Sequence, residues 1–234
     1  MVLRKPRATM FRARCDRALY VLSEGAAALS KILRYRKYRA MRWRNGQGTT
    51  LEIAREPPGG EPFAWRLSLA TLERSCNFSA YPGYRRALVL VSGEKLHLTF
   101  WRHGRRRLGP ESRWVRFDGS WRTRCALAGP CTDLSLIVRD DADTGGRSIL
   151  RAPRVIQARS KRRLDIPGGL YAALVPLVAA VSIADVTGSR RRLGPLDTLL
   201  LSPAHPRSWT IGPVGGRRAE LVLLQWRPGC AIFL

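Results

Sequence analysis

The string Arg105-Arg106-Arg107-Leu108-Gly109-Pro110 returns 85 residues later as Arg190-Arg191-Arg192-Leu193-Gly194-Pro195. The surroundings keep step: apolar runs beginning near Ala87 and Ala172 precede the two copies, and runs at Trp114 and Leu199 follow them. At an offset of 87, Leu134–Val138 then matches Leu221–Gln225. A unit of this length exceeds a solenoid repeat and suits a small antiparallel jelly-roll barrel. The expectation is an all-β chain of two such barrels from an internal repeat, over residues 31–140 and 141–234. Their junction should fall in Asp140–Arg147, where Asp140, Asp141 and Asp143 precede Gly145-Gly146. Residues 1–30 read as a basic, poorly ordered extension.

Period-2 alternation supports this reading. In Ala64–Leu72, Arg66 and Ser68 share one face of a strand, opposite Trp65, Leu67 and Leu69. Lys95–Trp101 alternates likewise, and Arg86–Val91, Leu134–Val138, Leu174–Ile183, Thr198–Leu201 and Glu220–Trp226 read as further strands. Gly/Pro punctuation such as Tyr81-Pro82-Gly83 and Gly215-Gly216 separates them.

Composition narrows the class. The chain has 234 residues, 45% hydrophobic and 25% charged, which excludes disorder and collagen-like repetition. Lys plus Arg number 42 against 17 acidic residues, a formal charge of +25 that attracts anions of any kind. The basic residues are dispersed and accompany no helix-turn-helix, zinc-finger or RNP-type signature, so they read as a solvated face. That argues against a nucleic-acid partner, although Arg105–Arg107, Arg190–Arg192 and Lys161-Arg162-Arg163 with Trp101, Trp114 and Trp121 keep the alternative open. The charge-free run Gly169–Ala184 contains Pro176 and is too short to cross a bilayer, so no membrane partner is expected. Five scattered cysteines (Cys15, Cys76, Cys125, Cys131 and Cys230) without a CxxC pair suit reduced thiols in a cytoplasm. His97, His103 and His205 match no metal-ligand spacing, so neither a metal nor an organic cofactor is expected.

The run Trp43-Arg44-Asn45-Gly46-Gln47-Gly48-Thr49-Thr50-Leu51-Glu52, followed by Trp65-Arg66-Leu67-Ser68, Phe78-Ser79, Pro82-Gly83-Tyr84, Arg86, Phe117-Asp118-Gly119 and Asp133-Leu134, resembles the HutD/Ves family. The match is dense over about residues 31–140, and the later half follows only in strand rhythm. The resemblance implies a bicupin, two cupin-like barrels, in agreement with the repeat. It also implies a part in histidine utilisation, with an acidic metabolite such as formylglutamate or urocanate as ligand and a regulatory, non-catalytic role. A homodimer is compatible with this reading. Departures from the family pattern fall at Gln47 (usually Gly), Cys76-Asn77 (Gly-Pro), Arg85 (acidic) and Ser135 (Asn), and they bear on ligand identity.

The residues themselves suggest an anion pocket in the first barrel. Trp43, Asn45, Gly46, Gly48, Thr50, Arg66, Ser68, Phe78, Ser79 and Arg86 would build it, because a guanidinium fork grips a carboxylate through charge-assisted hydrogen bonds. Trp43, Trp65 and Phe78 would wall it. Glu52 and Asp133 are either internal clamps for Arg66 or, in a metal-independent enzyme acting on a small carboxylate, candidate bases.

Overall fold

The computed structural model describes residues 30–43, 48–59, 61–140, 148–204 and 208–229. Within them four antiparallel sheets stack as layers, with one 3-10 turn at Tyr35–Lys37. The first large sheet runs in spatial order β2 (Arg39–Arg42), β3 (Gly48–Glu56), β4 (Trp65–Leu72), β11 (Cys131–Arg139), β6 (Tyr84–Ser92) and β9 (Trp114–Asp118). A small sheet of β5 (Cys76–Asn77), β10 (Thr123–Leu127), β7 (Leu96–Phe100) and β8 (Gly104–Leu108) covers one of its faces. The second large sheet runs β1 (Ser30–Leu33), β18 (Thr198–Leu201), β15 (Tyr171–Pro176) and β20 (Ala219–Arg227), with β12 (Ile149–Leu150) and β13 (Arg154–Ala158) both pairing with β20. Its small sheet is β14 (Arg162–Asp165), β19 (Ser208–Pro213), β16 (Val181–Ala184) and β17 (Arg190–Leu193).

Alternation explains how these layers bury three cores. Leu67, Leu69, Val89, Leu134 and Leu136 of the first large sheet meet Ala173, Val175, Val222, Leu224 and Trp226 of the second. Their opposite faces pack on the small sheets, Leu72, Leu88 and Leu90 on Leu96, Leu98 and Phe100, and Leu174, Leu221 and Leu223 on Ile183, Leu193 and Trp209. A strand buried on both faces must be apolar throughout, as β6, β11, β15 and β20 very nearly are. Buried polar exceptions are Arg86 on β6, Asp133 and Ser135 on β11 and Gln225 on β20; those on β6 and β11 contribute to the site.

Four expectations change. Leu134 faces the core between the large sheets, whereas Leu221, its expected match 87 residues on, packs on the second small sheet, so the two do not share a facing. Leu174–Ile183 is two strands, β15 and β16, because the chain turns after Pro176 and exposes Val178. Ser30–Leu33 lies in the second large sheet rather than with the segment that follows it, pairing along β18. The Tyr38 hydroxyl donates to the Leu196 carbonyl at 2.6 Å and Arg34 pairs with Asp197 at 2.7 Å, which fasten this crossing segment. Trp65 walls no pocket, since its parity turns it into the core between the large sheets against Trp226, ring centroids 5.0 Å apart. The expected extension lies outside the described residues except for Ser30, and the expected junction lies outside them except for Asp140.

Candidate functional site

The face of the first large sheet that looks toward its small sheet is apolar at one end and polar at the other. Across β4, β11 and β6 the ladder places Arg66, Ile137 and Arg86 in one row, Ser68, Ser135 and Leu88 in the next, and Ala70, Asp133 and Leu90 in the third. Residues two apart on a strand share a face, so five polar side chains converge: Arg66, Ser68, Arg86, Asp133 and Ser135. They line a cavity of about 410 Å³ together with Met41, Trp43, Thr50, Phe78, Ser79 and Tyr81, among others. That volume suits a small-molecule site.

Both guanidiniums are held by aromatic rings. Arg86, only 7% exposed, lies 5.0 Å from the Phe117 ring, 5.3 Å from Phe78 and 5.7 Å from Tyr81, and donates from Nη1 to the Ser79 carbonyl at 3.2 Å. Arg66 lies 5.1 Å from Phe63 and 5.3 Å from Tyr81, and its Nη2 donates to the Tyr81 hydroxyl at 2.8 Å. Ring faces stabilise cations without occupying their N–H donors. Nε of Arg66 and of Arg86 are accordingly buried without a hydrogen-bond partner, as are Oδ1 of Asp133 and Oγ of Ser135. Trp43 is fixed at the rim by its Nε1, which donates to Thr50 Oγ1 at 2.8 Å.

Burial governs the charges. Asp133 is 2% exposed, and desolvation raises its carboxyl to about 7 although Arg86 pulls the other way. Desolvation lowers Arg86 to about 10, with Arg66 acting in the same direction and Asp133 against both. Near neutrality the cavity thus holds two cations and one carboxyl that is easily protonated, a field suited to an anionic guest.

Of the residues expected in the site, Trp43, Thr50, Arg66, Ser68, Phe78, Ser79, Arg86 and Asp133 all line the cavity. Asn45 and Gly46 lie outside the described residues. Gly48 lies behind the wall: a Cβ there would come within 2.7 Å of the Thr71 carbonyl and 3.2 Å of the Trp43 ring. Glu52 is corrected, because it does not clamp Arg66. It stays opposite Ser68, a register shift beyond it sets Arg55 opposite Arg66, and Glu52 accepts from Arg55 Nε at 2.8 Å. Asp133 does not clamp Arg66 either, whose terminal nitrogen is taken by Tyr81. Tyr81 went unforeseen because it sits in a loop, where alternation gives no facing; its place follows from its backbone bond to Gly119 at 2.7 Å. Asn77 and Ser135, two of the departures from the family pattern, line the cavity itself, whereas Cys76 points inward to Cys125, Sγ to Sγ 3.2 Å. His97 and His103 face away from the cavity, exposed on the small sheet and its hairpin.

Layered antiparallel sheets with a polar pocket between a large and a small sheet define an all-β, cupin-like protein. A cupin 2 conserved barrel domain protein from Leptotrichia buccalis has the same fold, at TM-score 0.51 and 10% identity over 83% of this chain and 100% of that one. The chain belongs to the HutD family, whose model matches residues 35–213. It is 33% identical over 177 residues to an uncharacterised 21.2 kDa protein in the hutC 3' region of Pseudomonas putida, covering 73% of this chain and 86% of that one. Among solved structures, a conserved protein of unknown function from Pseudomonas aeruginosa PAO1 matches with TM-score 0.74 and 25% identity over 84% of this chain and 98% of that one. HutD from Pseudomonas fluorescens SBW25 matches with TM-score 0.65 and 26% identity over 85% and 99%. Among the described residues no helix is long and apolar enough to cross a membrane.

Proposed function

We propose that this chain is a bicupin that binds a small anionic metabolite of histidine utilisation, such as formylglutamate or urocanate, in the cavity of its first half, and that it acts in the cytoplasm as a non-catalytic regulatory protein. Matching strand orders in the two halves support the bicupin reading: β5-β10-β7-β8 against β14-β19-β16-β17, and β4-β11-β6-β9 against β13-β20-β15-β18. The hutC-region relative supports the metabolic setting. The observation that carries the binding reading is the convergence of Arg66 and Arg86, each with a buried unpaired Nε, on one cavity. A carboxylate would satisfy donors that aromatic rings leave free.

Calorimetry of the purified protein against formylglutamate, urocanate and glutamate tests this reading. Saturable binding to one of them, lost in both Arg66→Ala and Arg86→Ala while circular dichroism stays unchanged, is the expected result. No binding to any of the three, or binding that survives both substitutions, would overturn it. A second reading rests on Asp133, whose buried carboxyl near 7 suits a general base. It requires turnover of the bound metabolite by NMR, abolished in Asp133→Asn.

A further inference from the structure

Strand pairing gathers several of the dispersed arginines of the first half onto one surface. On the small sheet, Leu96, Leu98, Phe100 and Cys125 face the core, so His97, Thr99, Arg105, Arg107 and Arg124 face outward. The ladder sets Arg105, Thr99 and Arg124 in one row and Arg107, His97 and Ala126 in the next. Same-face residues stand about 7 Å apart along a strand and alternate strands about 10 Å apart across the sheet. Beyond the first row, the Trp101 amide donates to the Arg122 carbonyl at 3.0 Å, which brings Trp101 and Arg122 alongside.

Trp101 is 60% exposed, with the Arg122 guanidinium 5.7 Å over its ring. The hairpin that carries it is braced from behind by His103 stacked on Trp121, centroids 4.1 Å apart and 3° from parallel. An indole left mostly exposed on a braced turn contributes little to the core. None of the four strands, nor the Trp101–His103 and Gly119–Arg122 turns, contains Asp or Glu. Among the described residues, none of Arg105, Arg107, Arg122 and Arg124 has an ion-pair partner.

We propose that this outer face binds single-stranded nucleic acid, with Arg105, Arg122 and Arg124 on phosphates and Trp101 stacking on a base. The arginines call for a polyanion, and the free indole face selects one with flat rings to offer. The face of a four-stranded sheet is broader than the helix or two-stranded ribbon that a duplex groove admits, and an acidic peptide would leave Trp101 unused. The corresponding face of the second small sheet supplies the contrast: Arg163, Arg190 and Arg192 are there, but Asp165 pairs with Arg163 at 2.9 Å and the only aromatic residue of its strands, Trp209, is buried. This site is on the opposite side of the small sheet from the metabolite cavity and is independent of it.

The test is fluorescence anisotropy of the full chain with a labelled oligo-dT and with a duplex of equal length, over a salt series. Arg105→Gln/Arg122→Gln/Arg124→Gln should weaken oligo-dT binding and flatten the log K against log salt slope by about 2, since each phosphate contact contributes roughly 0.7 on a single strand. Arg163→Gln/Arg190→Gln/Arg192→Gln removes the same net charge and should leave that slope nearly unchanged. Trp101→Ala, at an exposed position, should weaken binding about tenfold with no change in slope. Equal losses from the two triple variants, full affinity in Trp101→Ala, or duplex binding as tight as oligo-dT would each overturn the proposal.

Discussion

Replacing Asp133 by Asn should make the protein progressively more stable than wild type as pH rises. The carboxyl is 2% exposed, its Oδ1 has no hydrogen-bond partner, and burial lifts it from an ordinary 3.8 to about 7 in the folded state. Between those values the unfolded chain has released this proton and the folded chain keeps it. Folded molecules then bind more protons than unfolded ones, and stability falls with increasing pH by about 1.4 kcal/mol per pH unit. From pH 5 to pH 7 the wild type should lose about 2 kcal/mol through this one group, levelling off above about pH 7. Asn has nearly the same shape and does not titrate, so the variant should gain about 2–3 kcal/mol on wild type between pH 5 and pH 8. Urea denaturation of both proteins across this range measures the gap. Stability curves that run parallel, or a gap that opens toward acid, would refute the assignment of Asp133 as a buried, weakly compensated carboxyl.

Two further expectations concern the frame around the site. Tyr38→Phe removes a hydroxyl within 3.3 Å of Leu33 O, 2.6 Å of Leu196 O and 2.8 Å of Thr198 Oγ1, and should cost about 1–3 kcal/mol, with faster amide exchange along Ser30–Leu33 as the local readout. Gly93 has φ +102° and a Cβ there would fall 2.5 Å from Cys131 Cβ, whereas Gly59 at φ +93° has open space, so thermal denaturation should show Gly93→Ala losing about 2 kcal/mol or more beyond Gly59→Ala.

The layering was legible because it follows from side-chain parity, which strands impose on their own sequence. The repeated Arg-Arg-Arg-Leu-Gly-Pro string, which alternation did not mark as a strand, falls on β8 and β17, each an edge strand of a small sheet ending in a buried leucine, Leu108 and Leu193. What parity cannot reach are events between strands. The register shifts at Glu52/Ala54 and Thr132/Asp133 depend on one-residue bulges that leave composition unchanged. For the same reason Glu52 was expected beside Arg66 and is found on Arg55. The placement of Ser30–Leu33 on β18 is a long-range choice, settled by Tyr38 and Asp197 rather than by any property of the segment itself.

The strongest reason to regard the first cavity as a site lies in the second half of the same chain. Counted outward from the core between the large sheets, the positions that pair in the same way as Arg86, Asp133 and Ser135 hold Ala172, Leu221 and Leu223, all buried and packed on the second small sheet. At these three positions the second half is apolar, although Gln225, paired with Ala172, is also buried with its Nε2 unpartnered. The first half instead keeps two arginines and a carboxyl there, four of whose polar atoms with Ser135 lack partners. Each unpaired buried group costs about 1–3 kcal/mol, and the raised Asp133 carboxyl is the titratable sign of it. Stability alone would favour apolar side chains at these positions, and a carboxylate bound as proposed above would supply the partners that the polar groups lack.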